Sequence, residues 1–160
     1  MLSVTVACVG KIKEKFFTEA VLEYSKRLAR YCKFKILEVK DEPTPVAPTE
    51  RESEIVLNSE AEKLLAKVPN NSYVIALCVE GKQKSSEDFA DEISKISVNG
   101  VSHICIIIGG SMGLSEEIKR RADMRLSFSK MTFPHQLMRV ILAEQLYRAF
   151  TIIEGKTYHK

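Results

Sequence analysis

At 160 residues, with 45% hydrophobic and 28% charged residues, the chain has the size and profile of one globular domain with a real core. No apolar run approaches a membrane span, and the start MLSVTVACVG lacks a signal peptide's basic opening and cleavage pattern, which argues against membrane and secreted classes. A formal net charge of +3 permits a nucleic-acid partner without requiring one.

In chain order, Leu2–Val9 reads as a strand with Leu2, Val4, Val6 and Cys8 on one side. Phe17, Val21, Tyr24, Leu28 and Tyr31 then recur at helical spacing, with Glu19, Glu23, Lys26 and Arg30 facing away. Phe34–Val39 is a second strand. The three prolines of DEPTPVAP, Asp41–Pro48, exclude a helix or an inner strand and predict a mobile loop. A polar helix over Arg51–Lys67 is expected to bury Leu57, Ala61, Leu64, Leu65 and Val68.

Pro69-Asn70-Asn71-Ser72 is a turn before the buried strand Tyr73–Val79, which ends in Glu80-Gly81-Lys82. Ser86 is placed as the cap of a helix carrying Phe89, Ile93 and Ile96 and stopping at Asn99-Gly100. Ile104–Leu114, ICIIIGGSMGL, combines a strand apolar on both faces with a glycine turn that lets backbone approach backbone. Ser115 caps the helix that follows, whose first turn carries Glu116 and Glu117. That helix reaches about Met124. Leu126–Thr132 reads as a last short strand, and a helix opening at Pro134 runs to about Ile153.

Strands alternating with helices predict a single α/β domain over residues 1–160, with a largely parallel sheet and helices on both faces. Ligands in such sheets bind beyond the carboxyl ends of the strands. Three ends are loaded: Leu77–Lys82, Gly109–Gly113 and Phe128–Phe133. The glycine turn is a poor phosphate cradle. Two carboxylates already occupy the helix start, GGxxG is not GxGxxG, and no Gly-Lys-Ser/Thr follows. It suits an uncharged, flat group read by backbone amides and carbonyls. The first strand–helix turn offers only Gly10 before Lys-Ile-Lys, so a dinucleotide-binding oxidoreductase is disfavoured.

The four cysteines, Cys8, Cys32, Cys78 and Cys105, show no ligand spacing, and three sit in apolar strand-like runs. The expectation is a reducing cytoplasm, no disulfide and no metal. His135 and Arg139 lie one helical turn apart and share a face. Glu144 and Arg148 have the acid-first order of a surface ion pair. Leu137, Ile141, Leu146 and Phe150 read as core rather than a cofactor box, and His103, opening a buried strand, as structural. Lys11, Lys13 and Lys15, with Arg27, Arg30, Lys33 and Lys35, form basic runs that either meet a nucleic-acid partner or are simply solvated.

Across the whole chain the sequence resembles the SPOUT superfamily of knotted methyltransferases. More narrowly it resembles the RlmH family, which methylates N3 of a pseudouridine in 23S ribosomal RNA. The most specific matches are IIIGGSMGLS, LSFSKMTFPHQLMRVILAEQLYRAF and the tail YHK, supported by VTVACVGK and YVIALCVEGK. The resemblance implies a trefoil knot in the C-terminal half, an exception to the rule against threaded loops. It implies S-adenosyl-L-methionine held in that knot by Leu77 and its turn, by Gly109, and by Phe128, Ser129, Lys130, Met131, Thr132 and Phe133. It also implies a homodimer, packed through its long C-terminal helices, that acts on the assembled ribosome with no metal and no membrane.

Catalysis is then expected from His135, Arg139, Tyr158 and His159. The imide proton would leave to His135, His159 or hydroxide, and Arg139 would steady the resulting oxygen charge or hold phosphate. The tail Tyr158-His159-Lys160 would stack on RNA, by resemblance in the partner's site, unless it frays as chain ends do. Another RNA target such as tRNA, or a silent ribosome-binding protein on the same scaffold, are the alternatives.

Overall fold

The computed structural model describes residues 1–160. Ten elements alternate as expected: β1 (Ser3–Val9), α1 (Lys15–Leu28), β2 (Lys33–Val39), α2 (Glu50–Leu65), β3 (Tyr73–Gln83), α3 (Ser86–Val98), β4 (His103–Ile108), α4 (Glu116–Arg121), β5 (Met124–Ser127) and α5 (His135–Ile153). All five strands join one parallel sheet in the order β2-β1-β4-β3-β5. Its two faces carry separate cores. The pleat sends Val4, Val6, Cys8, Ile104, Ile106 and Ile108 to one, with Leu28, Phe89, Ile93, Leu142 and Leu146. It sends Ala7, Val9, Cys105 and Ile107 to the other, with Ala61, Leu64 and Ile118.

β4 is the centre of the fold. Its residues from Ile104 to Ile108 are buried on both faces, as a strand flanked by helices demands. Ile106→Ala would cost about 2–5 kcal/mol, because the neighbouring strands cannot close the cavity. His103 at its start is held at 2.7 Å from the buried Thr5 hydroxyl, the structural role expected of it.

Four local readings are corrected. β3 runs on through Glu80-Gly81-Lys82 to Gln83, because a register shift between Leu77 and Lys82 lets the strand resume pairing with β5. α3 is capped by Ser85, which accepts the Asp88 amide, while the Ser86 hydroxyl donates to Gln145 on α5. α4 ends at Arg121 and β5 is only Met124–Ser127, because the Ser127 hydroxyl donates to the Ser129 carbonyl and the Ser129 hydroxyl accepts the Met131 amide, turning the chain out of the sheet. α2 buries Val56 and Glu60 with Ala61 and Leu64, while Leu57, Leu65 and Val68 are half-buried. Thr49 caps it by accepting the Glu52 amide.

Register brings the carboxyl ends of the strands together. Leu77 pairs with Ile108 on one side and with Leu126 on the other, and Cys8 pairs with Ile108. The loops after β1, β3, β4 and β5 therefore leave the same edge of the sheet. No helix is long and apolar enough to cross a membrane.

Candidate functional site

The loops after β3, β4 and β5 and the start of α5 enclose a cleft of about 380 Å³. Leu77–Glu80 form one wall, Ile108–Leu114 the floor, and Ser127–Ser129 with Met131–Phe133 the rim; His135 and Met138 close it from α5. Of the residues expected to hold a ligand, Leu77, Gly109, Phe128, Ser129, Met131, Thr132 and Phe133 all line this space. Lys130 does not; it is exposed between two that do. Met138 was not singled out from the sequence, though its place one turn after His135 puts it on the same face.

The floor is glycine by necessity. A Cβ on Gly109 would overlap the Gly113 carbonyl oxygen and lie 2.5 Å from its carbonyl carbon and 3.1 Å from its Cα. The loop is folded on itself here, with the Gly113 amide donating to the Gly110 carbonyl at 3.1 Å and Gly113 at φ +81°. Ser115 then caps α4 by accepting the Ile118 amide, and Glu116 and Glu117 occupy its first turn. Behind Gly110 lies Glu60, 5% exposed, which accepts the Glu42 amide at 3.2 Å. Glu42 in turn pairs with Lys63 and accepts the Ser59 hydroxyl, so the start of the proline-rich loop is tied to α2.

The cleft holds no free cation. Lys119 pairs with Glu80 at the end of the β3 wall and lies 3.6 Å from Glu116. The hydrogen bond between Lys119 and Glu80 raises the ammonium pKa and lowers that of the carboxyl, so both stay charged and spent on each other. Half-buried His135 has its pKa lowered, first by burial, then by the Arg139 guanidinium; Lys13 adds to this and Asp41 opposes it. A neutral imidazole at the cleft edge can accept a proton. No three His, Cys, Asp or Glu side chains are grouped to hold a metal ion.

Arg139 is corrected. Its side chain is fully buried and its guanidinium is committed: Nη2 donates to the Val9 and Gly10 carbonyls and Nη1 to Glu38, each at 2.8 Å. Its Nε has no partner. A group so enclosed cannot hold RNA phosphate; it fixes the end of β1 against α5. The helical spacing puts Arg139 near His135, whose pKa it lowers, but the Val9 and Gly10 carbonyls and the Glu38 carboxylate close over the guanidinium.

The tail is ordered on its own α5. The Tyr158 hydroxyl donates to Glu144 at 3.1 Å, its ring packs edge-on to Tyr147, and the Arg148 guanidinium lies 4.8 Å over it. Burial, then Glu144, pushes the Tyr158 pKa up to about 12. His159 bridges Arg148 at 3.1 Å and Glu87 at 2.8 Å. Glu144 and Arg148 form the expected ion pair, at 2.5 Å. Glu144 and Arg148 follow His135 by roughly 13 and 20 Å of helix, at about 1.5 Å per residue. Within one chain, therefore, His135 belongs to the cleft while Tyr158 and His159 do not.

Comparison with known proteins finds relatives over nearly the whole chain. A family model described as "Predicted SPOUT methyltransferase" matches residues 2–159. Proteins named ribosomal RNA large subunit methyltransferase H are 54% identical in Clostridium novyi, 51% in Clostridioides difficile and 47% in Bacillus pumilus, each over 99% of this chain and 100% of the relative. A solved structure described as a probable methylase family protein from Haemophilus influenzae aligns with a TM-score of 0.56 at 14% identity, covering 100% of this chain and 72% of that one. At that identity it speaks for the fold alone.

Proposed function

Because this chain belongs to the SPOUT methyltransferase family, we propose that it is an S-adenosylmethionine-dependent methyltransferase acting at N3 of a pseudouridine in 23S ribosomal RNA. The observation that carries this reading is the cleft itself: glycine-floored, apolar-walled, without a free cation, and edged by an imidazole kept neutral. The residues fit the cofactor. Leu77, Met131 and Phe133 offer apolar surface to an adenine, and the folded glycine loop offers backbone groups to its edge. With Lys119 spent on Glu80, nothing invites a phosphate, which this cofactor lacks. When bound, S-adenosylmethionine supplies an electrophilic methyl group on a sulfonium.

The chain's own part is alignment and proton removal. Holding the attacking nitrogen in line with the methyl group is worth a large share of the rate. The imide N3 attacks well only after its proton leaves, and His135 Nδ1 or Nε2 takes it. Arg139 acts as a positioning residue, keeping the β1 end and the first turns of α5 in one arrangement.

A homodimer completes the site in this reading, bringing the tail of one protomer to the cleft of its partner. Supporting it, Tyr158 and His159 lie far along α5 from their own cleft, and the aliphatic Leu137 and Ile141 stay half-exposed on that helix. A trefoil knot in the C-terminal half belongs to the same reading, supported by β5 lying outside β3 while α5 returns to pack between α1 and α3. The whole chain then forms one cytoplasmic methyltransferase domain.

Calorimetric titration with S-adenosylmethionine, and with NAD in parallel, tests the cofactor. Saturable binding of the first alone is expected; binding of NAD alone would overturn the reading.

A further inference from the structure

The loop from Gly10 to Lys15 is built with more care than a simple strand–helix link requires. The Gly10 amide donates to Val39 at 2.8 Å, with Gly10 at φ +82°. The Ile12 amide donates to Glu38 at 3.1 Å and the Lys13 amide to Gln136 at 3.0 Å. The buried Arg139 grips the Val9 and Gly10 carbonyls and the same Glu38 carboxylate oxygen that receives Ile12. Gln136 adjoins His135, so the loop is fastened to the residue next to the cleft edge.

What this scaffold presents outward is charge. Lys11 and Lys13 are exposed, and neither ammonium has a carboxylate within ion-pairing distance. Lys15 faces Glu19 at 3.8 Å in a largely exposed pair, and the acids around the loop are Glu14, next to Lys13 in sequence, Glu38, which already holds the Ile12 amide and Arg139, and Asp41 near His135. Lys13 is close enough to depress the His135 pKa. Arg139, being buried, contributes field but no contact.

We propose that Lys11 and Lys13 form a phosphate clamp that seats the ribosomal RNA backbone beside His135. This rests on the rRNA-methyltransferase reading. The hydrogen-bonded backbone sets where the two side chains start, so binding has to order the lysine stems but not the loop. Phosphate contacts fix register without reading sequence, which is what a site acting on one nucleotide needs at its edge.

The test is Lys11→Gln/Lys13→Gln, with Lys26→Gln/Lys67→Gln as a charge-matched control at two exposed lysines that do not line the cleft. Binding of each protein to ribosomes lacking the modification is measured over a salt series, together with KM for those ribosomes. Neutralising two phosphate contacts should flatten the plot of log affinity against log salt by about 1.4–1.8, because each contact releases about 0.7–0.9 of a counterion. KM should rise while melting temperature and cofactor affinity stay at wild type. A slope and KM like wild type, or an equal loss in the control, overturns the clamp. Wild-type protein that neither binds nor methylates such ribosomes overturns the rRNA reading as well, and the clamp with it.

Discussion

Replacing Gly109 by alanine perturbs the cleft at one known point. The new methyl group would overlap the Gly113 carbonyl oxygen and stand 2.5 Å from its carbonyl carbon, whereas ordinary contact begins at 3.4 Å, so the loop must yield by at least about 0.9 Å. The obstacle is backbone, held by the Gly113–Gly110 hydrogen bond, and no side chain can swing aside. Overpacking of this kind costs about 1–3 kcal/mol. Spent on opening the floor of the cleft, that is a roughly 5- to 150-fold loss of cofactor affinity, at about 1.4 kcal/mol per tenfold. Turnover should fall further, since a displacement near 1 Å costs about 10²-fold in a transfer that depends on alignment. Calorimetry gives the dissociation constant and thermal unfolding shows that the fold persists. Cofactor binding within twofold of wild type, in a folded variant, would refute the claim that the close packing of Gly109 on Gly113 shapes the floor on which the cofactor is held.

His135→Ala should lower methyl transfer by about 10²-fold and remove the acid limb of the pH–rate profile. In wild type that limb should fall at a pH below the ordinary histidine pKa, because burial and Arg139 disfavour the imidazolium. The same shift makes stability rise with pH between the folded and the ordinary pKa: the histidine's contribution is complete above the ordinary value and fades as pH falls towards the lower, folded one. Guanidine unfolding at a series of pH values reads this. Arg139→Met should cost about 3 kcal/mol, leaving the Val9 and Gly10 carbonyls without their donor and Glu38 without its cation; equilibrium denaturation checks it, and a loss under 1 kcal/mol would mean the latch is not structural. Cys78, half-buried in the cleft wall, should be the first thiol alkylated, and bound S-adenosylmethionine should slow that reaction. Burial pushes Cys8 and Cys105 up to about 11 and Cys32 to about 12, so these should react only on unfolding.

The order of elements was legible because each carries its own signal: β-branched runs for the buried strands, helical spacing from Phe17 to Leu28, prolines where no element can form. The cleft was legible through GGSMG and the strand ends. Long-range partners were not. Nothing local marks Arg139 as buried, since its ligands are carbonyls 130 and 129 residues away. SFSKMTF has the residues of a strand, but two serine hydroxyls turn it outward. The Glu80-Gly81-Lys82 segment resembles a turn and is instead a strand lying so close to β5 that a Cβ on Gly81 would be 2.7 Å from the Leu126 backbone. The loop-shaping role of Glu38 was equally hidden, because a carboxylate near the end of a short strand looks like any solvated acid.

The most direct test of the central claim is mass-spectrometric mapping of 23S rRNA after ribosomes lacking the modification are incubated with this protein and S-adenosylmethionine. The account predicts that one pseudouridine gains the mass of a methyl group at its N3, and that Gly109→Ala and His135→Ala sharply reduce the gain. No methylation by wild-type protein shown to bind the cofactor, or methylation at a different base, would contradict it.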